Sequence, residues 1–422
     1  GRVCQGQRLM ETPIADFVRR YADSGMIRAH MPGHKGKPFL GCETLDITEI
    51  QGADSLYEAE GIIRRSESYA GELFGSGRTV YSTEGSSQCI RAMLYLALTC
   101  GNGSRTVVAA RNVHRAFVYA AALLDFEIVW LWPERSSSLC GCPVSPDTLE
   151  RTLAEMPAPP AAVYLTSPDY LGGMADISAL AEVCRKHGTL LAVDNAHGAY
   201  LRFLEPSCHP LDFGADLCCD SAHKTLPVLT GGAYLHISRA APASLRESAK
   251  TAMAMFGSTS PSYLTLASLD LCNRYLADGY RDRLREMCGR LEEARKALTA
   301  AGWQVEPSDP LRRRTSNGFC MLSEQMMPFM RRSRRCRWPV ENGCVPCGRR
   351  CLLHGRLYRR HGRWAGSAAP LPWGVRLRSP LRCPVSKLAR KRWNCSGGMA
   401  WSRWKSCAEN GFEKSKTGKS EH

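Results

Sequence analysis

The sequence predicts an α/β fold, a mostly parallel mixed sheet with helices on both faces, and three observations carry that expectation. Short apolar runs recur at 106–110, 161–165 and 189–193. Each gives way to small or polar residues: Arg111-Asn-Val-His, Thr166-Ser-Pro-Asp-Tyr and Asp194. Segments with helical spacing, 88–98 and 177–187, precede the first and the third of them. Buried strands alternating with helices imply parallel pairing, and ligands of such sheets gather at the strands' carboxyl ends.

Taken along the chain, residues 1–9 are polar and lack an initiating methionine, so they read as a disordered start, with Met10 a natural beginning. Thr12 and Pro13 suit a cap and a first helical turn. Ile14, Phe17, Val18 and Tyr21 then fall at helical spacing until Gly25. Residues 81–88, Tyr-Ser-Thr-Glu-Gly-Ser-Ser-Gln, read as a strand end and a tight turn opening the 88–98 helix. Gly85, Ser86 and Ser87 there offer amides and hydroxyls to an anion such as phosphate, although the same pattern also makes a plain N-cap. His114 follows the 106–110 run and suits either a ring stacked on a flat ligand or a capping residue. Residues 284–300 (Leu291, Ala294, Leu298) begin a helix toward a second, smaller domain. The expected division is a major domain over 10–280, the start of a small C-terminal domain over 281–310, and an atypical tail over 311–422.

Charge separates that tail from the body. The whole chain carries +16, yet residues 311–422 hold 26 Lys+Arg against 5 Asp+Glu, leaving the first 310 residues mildly acidic. A basic surface spread over the fold would suggest a nucleic-acid or membrane partner; an acidic body suggests neither. The tail also holds 6 of the 9 Trp and 8 of the 20 Cys, and has no Asp. Its texture resembles an out-of-frame translation or a disordered basic extension. A zinc knuckle at Cys344, Cys347, Cys351 and His354 is the competing reading; otherwise no metal site is expected. The longest apolar stretch, 116–132, is broken by Asp125 and Glu127, so no membrane span is expected. Cysteines scattered through a body with no secretory leader suggest reduced thiols, hence a cytoplasmic setting.

Two residues carry the chemistry. Lys224 lies in Asp220-Ser-Ala-His-Lys-Thr-Leu226, thirty residues after Asp194, where an apolar strand ends on a carboxylate. A lysine to hold an aldehyde and an acid to face a ring nitrogen are the minimal equipment for pyridoxal 5'-phosphate (PLP).

Seven motifs in order then carry a family resemblance: His30-Met-Pro-Gly-His-Lys-Gly36, Asp46-Ile-Thr-Glu-Ile-Gln-Gly52, Arg111-Asn-Val-His-Arg115, Ser167-Pro-Asp-Tyr-Leu-Gly172, Asp194-Asn-Ala-His-Gly198, Ser221-Ala-His-Lys224 and Ser258-Thr-Ser-Pro-Ser-Tyr263. Residues 10–310 resemble the major region of the Orn/Lys/Arg decarboxylases, PLP enzymes of the aspartate-aminotransferase-like fold type I. The resemblance implies that Lys224 holds the cofactor aldehyde, Asp194 faces the pyridine nitrogen and His114 stacks on the ring. It places Gly85, Ser86, Ser87, Ser221 and His223 at the phosphate, and Ala196 and His197 beside the cofactor. Thr259 and Ser260 would reach the phosphate from a neighbouring subunit, which implies a homodimer. The implied reaction is decarboxylation of arginine, lysine or ornithine; another reaction on the same cofactor, or an inactive scaffold, are the alternatives. Glu84, Gln88 and Lys37 depart from the family's usual residues. Asp46, Glu49 and Asp54 are candidates to face a substrate's distal cation, or else cap turns.

Overall fold

The computed structural model describes residues 9–133, 139–304 and 358–359. The expected disordered start up to residue 8, nearly all of the 311–422 tail and its Cys344, Cys347, Cys351 and His354 lie outside the described residues. The chain divides into two compact units, Gly1–His361 and Gly362–His422, and every described element belongs to the first.

Two helices, α1 (Pro13–Asp23) and α2 (Ile62–Phe74), precede the first strand, β1 (Arg78–Ser82). Then come α3 (Ser86–Cys100), β2 (Thr106–Ala110), α4 (Arg115–Leu124), β3 (Glu127–Leu131), α5 (Pro146–Ala154), β4 (Ala162–Thr166), α6 (Ile177–Lys186) and β5 (Leu190–Asp194). Two 3-10 turns, Ala199–Phe203 and Pro210–Phe213, lead to β6 (Leu217–Asp220), the one-turn α7 (Ala222–Thr225) and β7 (Ala233–Ile237). The helices α8 (Ala243–Glu247), α9 (Ala249–Ala254), α10 (Tyr263–Ala277) and α11 (Tyr280–Ala300) follow, and β8 (Trp303–Gln304) pairs with β9 (Tyr358–Arg359).

The seven-stranded sheet runs β1-β7-β6-β5-β4-β2-β3. Only β7 is antiparallel to its neighbours, so the other strands all point one way and their carboxyl ends share one edge. Side chains alternate across the sheet. Val107, Ala109, Ala192, Leu217 and Leu235 pack beneath α3, α4 and α9, while Val108, Ala110, Val163, Leu191 and Val193 pack against α5 and α6 on the other face. That second face continues past β6 into a cluster with Tyr81, Tyr234, Phe74 and Leu269 under α2 and α10. The expected α/β class and flanking helices are what the chain forms.

Local differences from the sequence expectation have physical causes. The apolar stretch 116–132 is not one segment: Asp125, at φ 53° after α4, turns the chain so that a helix gives way to β3. Among the described residues no helix is long and apolar enough to cross a membrane. Thr12 occupies the N-cap position of α1, but its hydroxyl donates to Asp16 at 3.0 Å instead of capping the backbone. The cap comes from across the fold, because Asp270 on α10 accepts from the Ile14 and Ala15 amides at 2.9 and 3.0 Å. Burial lifts Asp270 to a pKa of about 6. Cys89 and Cys184 are buried thiols used as small apolar residues, while the buried Cys218 and Cys219 thiols donate to Asp220 at 3.7 Å and Asp194 at 3.6 Å.

Candidate active site

The carboxyl edge of the sheet collects the polar residues expected there. β5 ends on Asp194, which is 2% exposed. Its Oδ2 accepts from Tyr164 Oη at 3.1 Å and its Oδ1 from the Ala196 amide at 3.1 Å. Burial raises its pKa above the ordinary carboxylate value, opposed by those two donors and by the nearby charges of Lys224 and His114. Tyr164 reaches it because β4 pairs with β5 so that Thr166 faces Asp194, placing Tyr164 two residues back on the same side of the pleat.

The next strand delivers the lysine. β6 ends at Asp220, Ser221 caps α7, and Lys224 stands on that single turn, exposed, with its amide on the Ser221 carbonyl at 3.0 Å. Lys224 Nζ lies 3.1 Å from His197 Nε2. Burial, then the charges of Lys224 and His114, push His197 down to a pKa of about 4, so at neutral pH its Nε2 can accept from the ammonium. Tyr170 sets its ring edge-on to His197 at 5.8 Å.

The turn after β1 is the candidate anion seat. Gly85 takes φ 74° at the N-cap of α3, a conformation open mainly to glycine. Its amide is tied to the Gly231 carbonyl at 2.7 Å. Ser86 and Ser87 form the first turn of a 15-residue helix, whose leading N–H groups have no intrahelical acceptor. Ser221 donates to Ser86 Oγ at 2.7 Å, which joins the β1 turn to the β6 turn. His223 Nδ1 is 3.0 Å from the Gly232 carbonyl. Gln88 braces the seat from beneath: Ser82 Oγ donates to it at 2.6 Å, and its Nε2 donates to Tyr57 Oη at 2.9 Å and the Met253 carbonyl at 2.8 Å.

The remaining expected residues fall less uniformly. His114 caps α4, with Nδ1 accepting from the Ala116 amide at 3.2 Å, and is close enough to Asp194 and Lys224 for their charges to act on one another. Thr259 and Ser260 are exposed in the turn before α10, where the neighbouring Ser258 amide donates to Glu84. Asp54 is a capping residue: its carboxylate accepts from the Gly61 and Ile63 amides at the start of α2, both at 2.9 Å. Asp46 pairs with His34 at 3.2 Å and Glu49 accepts from Ser55 at 2.8 Å. Sequence reading passed over Tyr164, Tyr170 and Asn195. The only signal for Tyr164 is its alternation phase relative to Asp194, which needs the strand pairing to be known. His209, Cys218 and Asp220 bring potential ligand atoms within 4.8 Å of one another; the carboxylate is already filled by hydrogen bonds, and the cluster is read as a hydrogen-bonded one.

The residues present fit PLP. A buried acid suits a protonated ring nitrogen, the lysine on the adjacent strand end suits the aldehyde, and the α3 start with its paired serine hydroxyls suits the phosphate. The fold is that of the fold type I PLP enzymes, and the candidate site fits that class.

More narrowly, the chain belongs to the Orn/Lys/Arg decarboxylase family: the sequence profile of that family's major domain matches residues 12–329. PLP is the family's cofactor. The chain is 30% identical to the uncharacterized protein YaaO of Bacillus subtilis, over 72% of this chain and 65% of that one. It is 28% identical to an arginine decarboxylase of the same organism, over 68% and 60% respectively. Its fold is similar to the lysine decarboxylase LdcF of Francisella novicida (TM-score 0.60, 18% identity, 71% of this chain and 46% of that one). It is also similar to the constitutive lysine decarboxylase of E. coli (TM-score 0.58, 21% identity, 71% and 47%). The chain thus spans less than two thirds of these relatives' length.

Proposed function

We propose that the protein decarboxylates a basic amino acid, with arginine the first substrate to test and lysine and ornithine next. The observation that supports this reading is a buried Asp194 ending β5 and Lys224 on the turn after the neighbouring parallel strand β6, near enough for their charges to interact. Relatives named arginine decarboxylase support arginine.

When bound, PLP supplies a cationic ring that takes up the electrons left as the substrate's carboxylate departs. The chain supplies the rest. Asp194, buried and held by Tyr164 and Ala196, would be the acid for the ring nitrogen, and a carboxylate there would favour the nitrogen's protonated form. Lys224 Nζ would hold the cofactor's aldehyde, and as a free amine it could return a proton to the substrate carbon. His197 holds that amine from one side and is neutral near pH 7, so it adds no competing cation. Ser86, Ser87 and Ser221 would hold the phosphate end.

A second copy of the chain belongs to this reading. Lys224 is exposed in one protomer, whereas such chemistry calls for exclusion of water, and a partner's Thr259 and Ser260 would close the phosphate end. Light scattering of the PLP-loaded protein is expected to give a dimer or larger.

Purified protein incubated with PLP and each amino acid should release CO2 and the matching amine. Keto acid without gas would move the reading to transamination. Loss of the cofactor's visible absorption in Lys224→Ala is the accompanying control.

A further inference from the structure

One buried assembly outside the cofactor residues touches both segments that carry them. Asp220 ends β6 fully buried, on the face of the sheet opposite Asp194. Its Oδ1 accepts from Asn195 Nδ2 at 2.6 Å. Its Oδ2 lies 3.1 Å from His209 Nε2 and 3.3 Å from His236 Nε2. Both imidazoles are themselves fully buried. His209 Nδ1 accepts from the Leu211 amide at 3.4 Å, so Nε2 carries the proton that goes to Asp220. His236 Nδ1 is 2.8 Å from Thr79 Oγ1, and Thr79 is 2.7 Å from Ser76 Oγ. The carboxylate is held below its ordinary pKa because the two imidazoles outweigh the cost of burial.

Position gives this assembly its meaning. Asn195 directly follows Asp194, and Asp220 directly precedes the Ser221–Lys224 turn. The 2.6 Å contact is therefore a side-chain tie between the segment facing the ring nitrogen and the segment bearing the lysine. Backbone ties run alongside it, Asn195 N to the Cys219 carbonyl at 3.0 Å and Gly198 N to the Asn195 carbonyl at 2.7 Å. The fold also keeps room for the Asn195 carboxamide: a Cβ at Gly198 would lie 2.0 Å from Asn195 Oδ1. Gly198 has φ −123°, within reach of any residue, so the glycine answers to space and not to backbone angle.

We propose that Asp220, through Asn195, is a positioning residue that sets the separation of Asp194 and Lys224. The inference rests on the PLP reading of the site. His209 makes it possible by supplying an N–H to the carboxylate, with the His236 ring beside it at 3.3 Å and the Cys218 thiol donating to Oδ1 at 3.7 Å. An ionised acceptor gives a shorter and stiffer tie than an amide would, and displacements on the order of 1 Å between reacting groups cost about 100-fold in rate.

The test uses the full chain and PLP itself as the probe. Asn195→Ala removes the tie and leaves the Asp220–imidazole contacts in place; N195D/D220N exchanges donor and acceptor, with the new amide still able to accept from His209. PLP affinity is read by visible absorption, attachment to Lys224 by borohydride reduction and mass analysis, and apo stability by thermal unfolding. Asn195→Ala is expected to weaken PLP binding about tenfold and lower kcat more than it changes KM, with a smaller loss of apo stability than Asp220→Asn shows. The exchange pair is expected to recover most of the affinity that Asp220→Asn alone loses. Parent-like absorption, affinity and kcat in Asn195→Ala would overturn the inference, as would losses that follow apo unfolding across the series with no recovery in the pair. If the parent protein neither binds PLP nor takes it on Lys224, the PLP reading itself has failed.

Discussion

Asp194 and Asp220 end neighbouring strands of one sheet, at almost the same height and both buried, yet they face opposite sides and have opposite surroundings. On the α3 and α4 face, Asp194 meets a phenol, one amide and the Cys219 thiol, with Lys224 and His114 farther off, and burial leaves its pKa raised. On the other face, Asp220 meets two imidazoles and a carboxamide, and its pKa is lowered. A carboxylate with incomplete compensation is poised for a cationic ligand, whereas one that is fully compensated is a fastener. Burial alone does not separate a functional acid from a structural one; the completeness of its partners does.

The comparison can be broken most sharply on the Asp194 side. Lys224→Ala is expected to lower decarboxylation at least about 10³-fold and to remove the cofactor's visible band, with apo unfolding unchanged because the side chain is exposed. Next comes a paired experiment. Asp194→Asn should lose about 10²–10³-fold in kcat while the apo protein is as stable as the parent or more so, since a buried charge is removed. Asp220→Asn should instead destabilise the apo protein by about 2–3 kcal/mol in denaturant unfolding. Equal stability losses in the two variants would erase the distinction between the two acids.

Smaller effects sharpen it. Gly198→Ala drives a methyl into the Asn195 carboxamide and should cost about 1–3 kcal/mol, accompanied by weaker PLP binding. His197 tests the titration side. The folded state keeps its ring neutral down to about pH 4, against 6.5 for an unperturbed imidazole, so this group's contribution is full above pH 6.5 and is lost as the pH falls toward 4. His197→Gln should therefore flatten apo stability between those limits by about 1–2 kcal/mol, discounted for a ring that is only partly buried. The smallest change is expected for Glu49→Gln, whose partner is an exposed serine hydroxyl: within about 0.5 kcal/mol in unfolding. A large rise in KM for arginine in that variant would instead give Glu49 a role toward the substrate's distal charge.

Much of this architecture is legible in the sequence. The 106–110 run is β2 residue for residue, and the runs at 161–165 and 189–193 are each one residue off. The 81–88 turn and Asp194 are legible because each closes an apolar run and so sits at a strand's carboxyl end, whereas Lys224 is legible only through its Ser-Ala-His-Lys motif. The short strands Leu217–Asp220 and Ala233–Ile237 are not, since Leu-Cys-Cys-Asp is too brief to show a period. The Thr12 cap fails because the acceptor for the first turn of α1 lies on α10, more than 250 residues away in sequence.

By itself, then, the sequence determined the alternation of strands and helices and the order of the chemical groups, because periodicity and chain-end polarity are local properties. Tertiary structure alone decided which groups meet. Strand order β1-β7-β6-β5-β4-β2-β3 departs from chain order, and with it the pleat phase that turns Asp194 toward Tyr164 and Asp220 toward His209 and His236. Those contacts depend on pairing between distant segments, which a local pattern does not encode.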